Sequence, residues 1–165
     1  MDLYDATVPP LKRLSKAVPR LIDRLEDAGP LSARLAKDGF TGGEHFCCAL
    51  GFVARTVLPL LGRDVPELPF DNDAGLIVAL AEDMTFMLDT ISRHDFDDAV
   101  HREITHIAGE ATLTQNGQDY ALLFGLPNAQ FHLTLGYATL RAAGAQVGKA
   151  DLDGYHIYTT PQTHH

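Results

Sequence analysis

Three long stretches of this chain repeat apolar residues at alternating steps of three and four, and a fourth is apolar for most of its length. Such spacing puts the apolar side chains on one helical face, so the chain is directed toward packed helices. The first face reads Tyr4, Val8, Leu11, Ser15, Val18, Ile22 and Leu25. Pro9 and Pro10 suit a first turn after Thr7, Pro19 should kink the helix, and Gly29-Pro30 stops it, with a short turn over Leu31 to Lys37. The second begins near Gly43 and runs through Phe46, Leu50, Val53, Val57 and Leu61 to Gly62. Asp73 is an N-cap for the third, whose face is Leu76, Leu80, Met84, Met87, Leu88 and Ile91, closing around Arg93 and His94. The fourth starts near Asp119, bends at Pro127 for want of an amide hydrogen, and ends at Gly144.

Between the third and fourth helices the pattern changes. Ile104, Thr105 and Ile107, then Thr112, Leu113 and Thr114, flank Ala108-Gly109-Glu110, which predicts a short β-hairpin over Glu103 to Thr114. Gln146 to Gly154 reads as extended. The second helix is about 27 Å long and the linker Arg63 to Asn72 reaches about 33 Å when stretched, so the chain can return along the whole bundle before the third helix begins. Helices two and three are therefore expected to run parallel, joined by a long crossover.

The chain has 165 residues, enough for one domain with a real core, here taken as residues 1–155 followed by a tail over 156–165. A formal charge of -9 without a Lys/Arg cluster argues against nucleic acid or an anionic membrane as partner, since both recruit cations. No leader-like start or bilayer-length apolar run is present, which gives a cytoplasmic expectation. Cys47 and Cys48 are neighbours, and that spacing suits buried thiols better than a redox or zinc motif. Nucleotide and phosphate loops and the nucleophile elbow are absent.

One residue stands out chemically. His132 sits in the middle of the apolar fourth helix, with Asn128 one turn before it on the same face. His132 is either a hydrogen-bonded core residue or the polar contact of a site. Asn128 either satisfies backbone groups freed by Pro127 or meets a ligand. Asp83, close to the apolar stripe of the third helix, is a candidate partner for His132 or Arg141, against a solvated position. His101 to His106 does not have the His-Glu-x-x-His spacing of metalloproteases, and in a strand His106 points away from the face of His101 and Glu103.

A set of short motifs spans most of the chain: Tyr4 with Val8-Pro9, Arg102-Glu103-Ile104-Thr105, Gly117-Gln118-Asp119-Tyr120, Leu126-Pro127-Asn128 with Phe131-His132, Tyr137 to Arg141, and Gly148-Lys149-Ala150-Asp151. In these residues the chain resembles an uncharacterised bacterial family, a domain of unknown function among the DinB/YfiT-like four-helix bundles. The wider group includes metal-dependent thiol transferases, an isomerase and hydrolase-like proteins. Its divalent metal is typically held by one histidine on helix two and a histidine pair at i, i+4 on helix four. Here His132 matches the second of that pair, Asn128 stands at the first, and Phe52 stands at the helix-two position. An amide is a weak ligand for zinc or nickel and a phenyl ring is none. His45, beside Glu44 and about two turns before Phe52, is expected to lie well away from the middle of helix four.

These readings combine into a mainly α fold, a DinB-like four-helix bundle with a long helix 2 to helix 3 crossover and a short β-hairpin before the last helix. The leading functional expectation is a protein that binds a small molecule in the bundle cavity, with Asn128, His132, Phe52 and Asp83 as contacts and a degenerate metal site. No cofactor is expected; a zinc or nickel ion, if held at all, would sit at His132. The rivals are a metal-dependent transferase or hydrolase, and a homodimeric structural or stress-related protein without ligand. Whether the chain is an enzyme stays open at this level.

Overall fold

Asp2 begins the first helix: its carboxylate accepts the Asp5 amide at 2.8 Å, and α1 runs Leu3–Ile22 in the computed structural model, which describes residues 2–158. Pro9 and Pro10 therefore lie inside α1, not in its first turn as the sequence suggests. The carbonyls they cannot serve belong to Asp5 and Ala6, where the helix is partly open to water and the loss is small. Leu25 falls beyond the helix. After α2 (Gly29–Ser32), Thr41 caps α3 (Gly42–Leu60) in a capping box with Glu44. Asp73 caps α4 (Ala74–Asp89) as expected. The buried face of α4 is Ile77, Leu80, Ala81, Met84 and Leu88; Leu76, 48% exposed, is not part of it.

A 3-10 turn over Arg93–Phe96 leads to the hairpin of β1 (Glu103–Ala108) and β2 (Ala111–Asn116), antiparallel with Glu103 opposite Asn116 and Ala108 opposite Ala111. Its two-residue loop is Gly109-Glu110, and Gly109 has φ of +62°, which a first central residue of a type II′ turn requires. Then come α5 (Gly117–Asp119), a π-helical segment Tyr120–Gly125, and α6 (Leu126–Ala142). Residues read as extended after it contain α7 (Lys149–Asp153), capped by the Asp151 carboxylate on the Gly148 amide and closed by left-handed Gly154. Part of the expected tail, residues 159–165, lies outside the described residues.

The long crossover is observed. Leu68 packs beside Gly51, and Asp71 and Asn72 lie against Gly43 and Cys47, so the linker retraces α3 and starts α4 at the end where α3 starts. At the other end Arg63, just past α3, pairs with Asp95, just past α4. Helices α3 and α4 run parallel. Helix α1 is antiparallel to α4, fixed by Lys12 with Asp89, Tyr4 Oη on Ile91 O, and Arg93 on Asp2 and Asp5. Helix α6 is antiparallel to α3, and the two come close because of glycines: a Cβ on Gly136 would sit 2.6 Å from the Phe46 ring, and one on Gly125 would meet Thr56. The common core contains Leu11, Leu21, Phe46, Leu50, Ile77, Leu88 and Leu140, all fully buried. Among the described residues no helix is long and apolar enough to cross a membrane.

Candidate functional site

The close α3–α6 contact sets the geometry around His132. Gly42 faces Thr139, Phe46 faces Gly136 and Gly125 faces Thr56, so His132 is level with a point about one turn from His45 and about one turn from Phe52. Both reach it. His45 Nδ1 lies 3.0 Å from His132 Nδ1, and the Phe52 ring is stacked on His132 at 5.8 Å and 17°. The expectation that His45 lies away from helix four is thus overturned. It rested on counting turns from Phe52 as if Phe52 were level with His132, whereas the two histidines lean across one turn. Phe52 stands across from His132, as expected.

Two Nδ1 atoms at hydrogen-bond distance require opposite tautomers: one ring carries its proton on Nδ1, and the other presents a bare Nδ1. Burial pushes His132 down to about 4, helped by the positive charge that His45 would carry and by Arg55. Burial lowers His45 as well, opposed by the Glu44 carboxylate. The pair is neutral at pH 7, and a base this weak is poorly matched to proton abstraction there. Phe40 lies nearly parallel to His132 at 6.1 Å, and Phe131 stands edge-on at 5.2 Å. His132 is half-buried, less enclosed than the helical pattern suggests, whereas His45 is buried.

The metal implied by the resemblance does not fit these residues. Two imidazoles supply half of a tetrahedral site, the neighbouring positions hold phenyl rings, and no group of three His, Cys, Asp or Glu side chains comes together among the described residues. Asp83 is exposed on α4, and Arg141, which it was a candidate to reach, donates to Val147 O at 2.8 Å. Asp83 is removed from the site on that ground: an exposed carboxylate keeps its hydration, which an apolar interior would strip. Cys47 and Cys48 are free thiols; burial raises the Cys48 thiol to about 11, far from a reactive thiolate.

Asn128 bonds the backbone one turn back, though not the carbonyl that Pro127 leaves without its helical donor, which is Leu123 O. Its Nδ2 donates to Phe124 O at 2.7 Å, in the stretch where the missing proline amide and the close Gly125–Thr56 contact favour a wide π-helical turn. That turn is pinned to α3 by Tyr120 Oη, which donates to Arg55 O. Burial raises the Tyr120 phenol to about 12, so it remains a donor. Tyr120 and Phe124 pack on His106 of β1, with ring centroids 4.9 and 4.2 Å away. His106 Nε2 meets Gln115 Oε1 at 2.8 Å, and its buried Nδ1 has no partner among the described residues.

Between this surface and the hairpin lies a cleft of about 640 Å³. Phe52, Arg55 and Pro59 of α3 form one wall, Tyr120, Phe124 and Asn128 a second, and β1 with Val65 closes it. Phe52 and Asn128, two of the residues singled out from the sequence, line the cleft. His132 does not; it lies behind Phe52. Its ionisable groups are Arg55, which sequence reasoning passed over, His106, which it weighed only against a metalloprotease motif, and Tyr120. The hairpin and the linker bring them there, and neither contact leaves a local pattern in the sequence.

The family model described as "Domain of unknown function (DUF1993)" matches residues 3–153. No curated protein matches the chain. Among solved structures, it is similar to the crystal structure of a DinB family member protein from Shewanella denitrificans, with 24% identity, 96% of each chain covered and a TM-score of 0.83. That similarity extends over nearly the whole fold, and the family match spans every helix and both strands described above. The fold is therefore DinB-like, and the chain belongs to the DUF1993 family, a family of unknown function.

Proposed function

We propose that this protein binds a small organic molecule in the cleft between the hairpin and the α3–α6 pair. The observation that carries this reading is the cleft itself: about 640 Å³, walled mainly by aromatic and aliphatic side chains, with a few polar groups aimed from its edges. That is the size and make-up of a small-molecule pocket. The proposed contacts are Phe52, Phe124 and Asn128, while the His45–His132 pair braces Phe52 from behind. The reading excludes a resident metal from the binding step, because the residues present do not complete a coordination sphere.

A fragment screen read by protein amide NMR tests it. Hits should perturb the amides around Phe52, His106 and Asn128, and they should be lost in Ala108→Phe. Ala108 is half-buried at the end of β1 and lines the cleft, and phenylalanine suits a strand. A screen without hits, or hits that survive Ala108→Phe, refutes the proposal.

A further inference from the structure

Among the described residues, the cleft contains one permanent cation and no carboxylate. Its ionisable side chains are Arg55, His106 and Tyr120, in a chain of formal charge -9. Other arginines are committed elsewhere: Arg20 donates to Asp151 O, Arg93 to Asp2 and Asp5, Arg102 to Leu60 O, Arg141 to Val147 O. Arg13 stacks on the Tyr155 ring at 4.1 Å. Arg55 makes no side-chain hydrogen bond or ion pair among the described residues, and its guanidinium is held over the Phe52 ring, 5.5 Å from the centroid. That contact restricts the side chain while leaving its N–H donors free.

A second polar group is spare. Asn128 is oriented by its Nδ2 bond to Phe124 O, which leaves Oδ1 as an acceptor with no donor among the described residues. Antiparallel packing places Asn128 within a turn of Arg55 across the cleft wall, so a cationic donor and a neutral acceptor share one apolar surface.

Resting on the cleft as the binding site, we infer that its ligand is an amphipathic monocarboxylate: a carboxylate for Arg55, an aromatic or branched apolar body for Phe52 and Phe124, and a hydroxyl or N–H donor for Asn128 Oδ1. One guanidinium without a second cation suits a single negative charge. A planar carboxylate takes two parallel N–H bonds from it. Acceptor-only apolar molecules leave Oδ1 unpaired, and cations meet Arg55.

The test compares three probes of nearly equal shape by amide NMR titration: para-hydroxyphenylacetate, its neutral amide para-hydroxyphenylacetamide, and phenylacetate, which lacks the donor. The acid should bind about tenfold more tightly than the amide, the low end for a charged hydrogen bond because Arg55 is exposed. Phenylacetate should fall between them. Arg55→Gln, a change at an exposed position that leaves the core untouched, should remove the preference for acid over amide, and Arg55→Lys should restore part of it. Equal affinity of acid and amide, or a preference that survives Arg55→Gln, overturns the inference while the cleft still stands as a binding site. If none of the three probes perturbs the cleft, the monocarboxylate assignment is overturned, and the charge-blind fragment screen with Ala108→Phe decides separately whether the cleft binds anything.

Discussion

Acidification from about pH 7.5 to about pH 5 should destabilise this protein through the histidine pair. An unfolded histidine titrates near 6.5, whereas His132 in the fold is held down to about 4, chiefly by burial. Between those values the unfolded chain binds a proton that the folded chain refuses, so stability rises with pH. The contribution is fully present above 6.5 and is lost as pH falls toward 4. For a fully enclosed group the loss by pH 5 would be about 2 kcal/mol; half-exposure of His132 screens it to about 1 kcal/mol. His45, also depressed by burial, adds in the same direction. Asp5, Asp95 and Asp153 are lowered by hydrogen bonds, from the Arg93 side chain, the Ser92 amide and the Tyr155 amide respectively, and stay charged in this window. Urea unfolding at the two pH values is the assay, with an expected fall in midpoint of about 0.5 M at a slope near 2 kcal/mol/M. His132→Gln keeps a hydrogen-bonding partner for His45 and removes the titration, so most of the pH dependence should vanish with it. Equal midpoints at the two pH values, or an undiminished difference in His132→Gln, would refute the reasoning.

Gly136→Ala should cost about 1 to 2 kcal/mol, since overpacking against the fully buried Phe46 ring exceeds the gain of about 1 kcal/mol in helix propensity; an unchanged or raised melting temperature contradicts this. Elemental analysis of protein purified without a nickel column should find far less than one divalent ion per chain. One zinc, nickel or iron per chain, lost in His132→Ala, would restore the metal-dependent reading.

Helix periods and caps were legible because they are local. Asp73 caps α4 as its position before an apolar run implies, whereas the Thr41-x-x-Glu44 capping box of α3, equally local, was passed over in the sequence. Linker length was enough to give the parallel α3–α4 pair. What local pattern could not supply was register between helices. Whether His45 or only Phe52 meets His132 depends on how closely α3 and α6 approach, and that is set by Gly136 fitting the Phe46 ring and Gly125 fitting Thr56. The choice of Ile77 over Leu76 on α4 is likewise a matter of helix rotation, which either spacing satisfies. Asn128 was read in two ways; its amide does bond the backbone, at Phe124 O and not at the Leu123 carbonyl that Pro127 frees, while its free oxygen leaves the ligand role in play. Arg55 was invisible as a site residue because an arginine on a helix is ordinarily a solvated one, and only the hairpin beside it makes a cleft of the surface on which it stands.

The crossover has a consequence for how the chain comes off the ribosome. Helix α1 packs against α4, and the Lys12–Asp89 pair spans 77 residues, while the two histidines that join α3 to α6 are 87 apart. An up-and-down bundle would let each helix dock on the one just made. Here α1 has no α4 to pack on until that helix emerges, a wait on the order of 4 to 15 seconds at ordinary elongation rates. The long loops must also close before the pairing that rewards them, which slows folding relative to a bundle of neighbouring hairpins. The connection that makes α3 and α4 parallel thus leaves the nascent chain with an apolar helix face waiting for its partner during that interval.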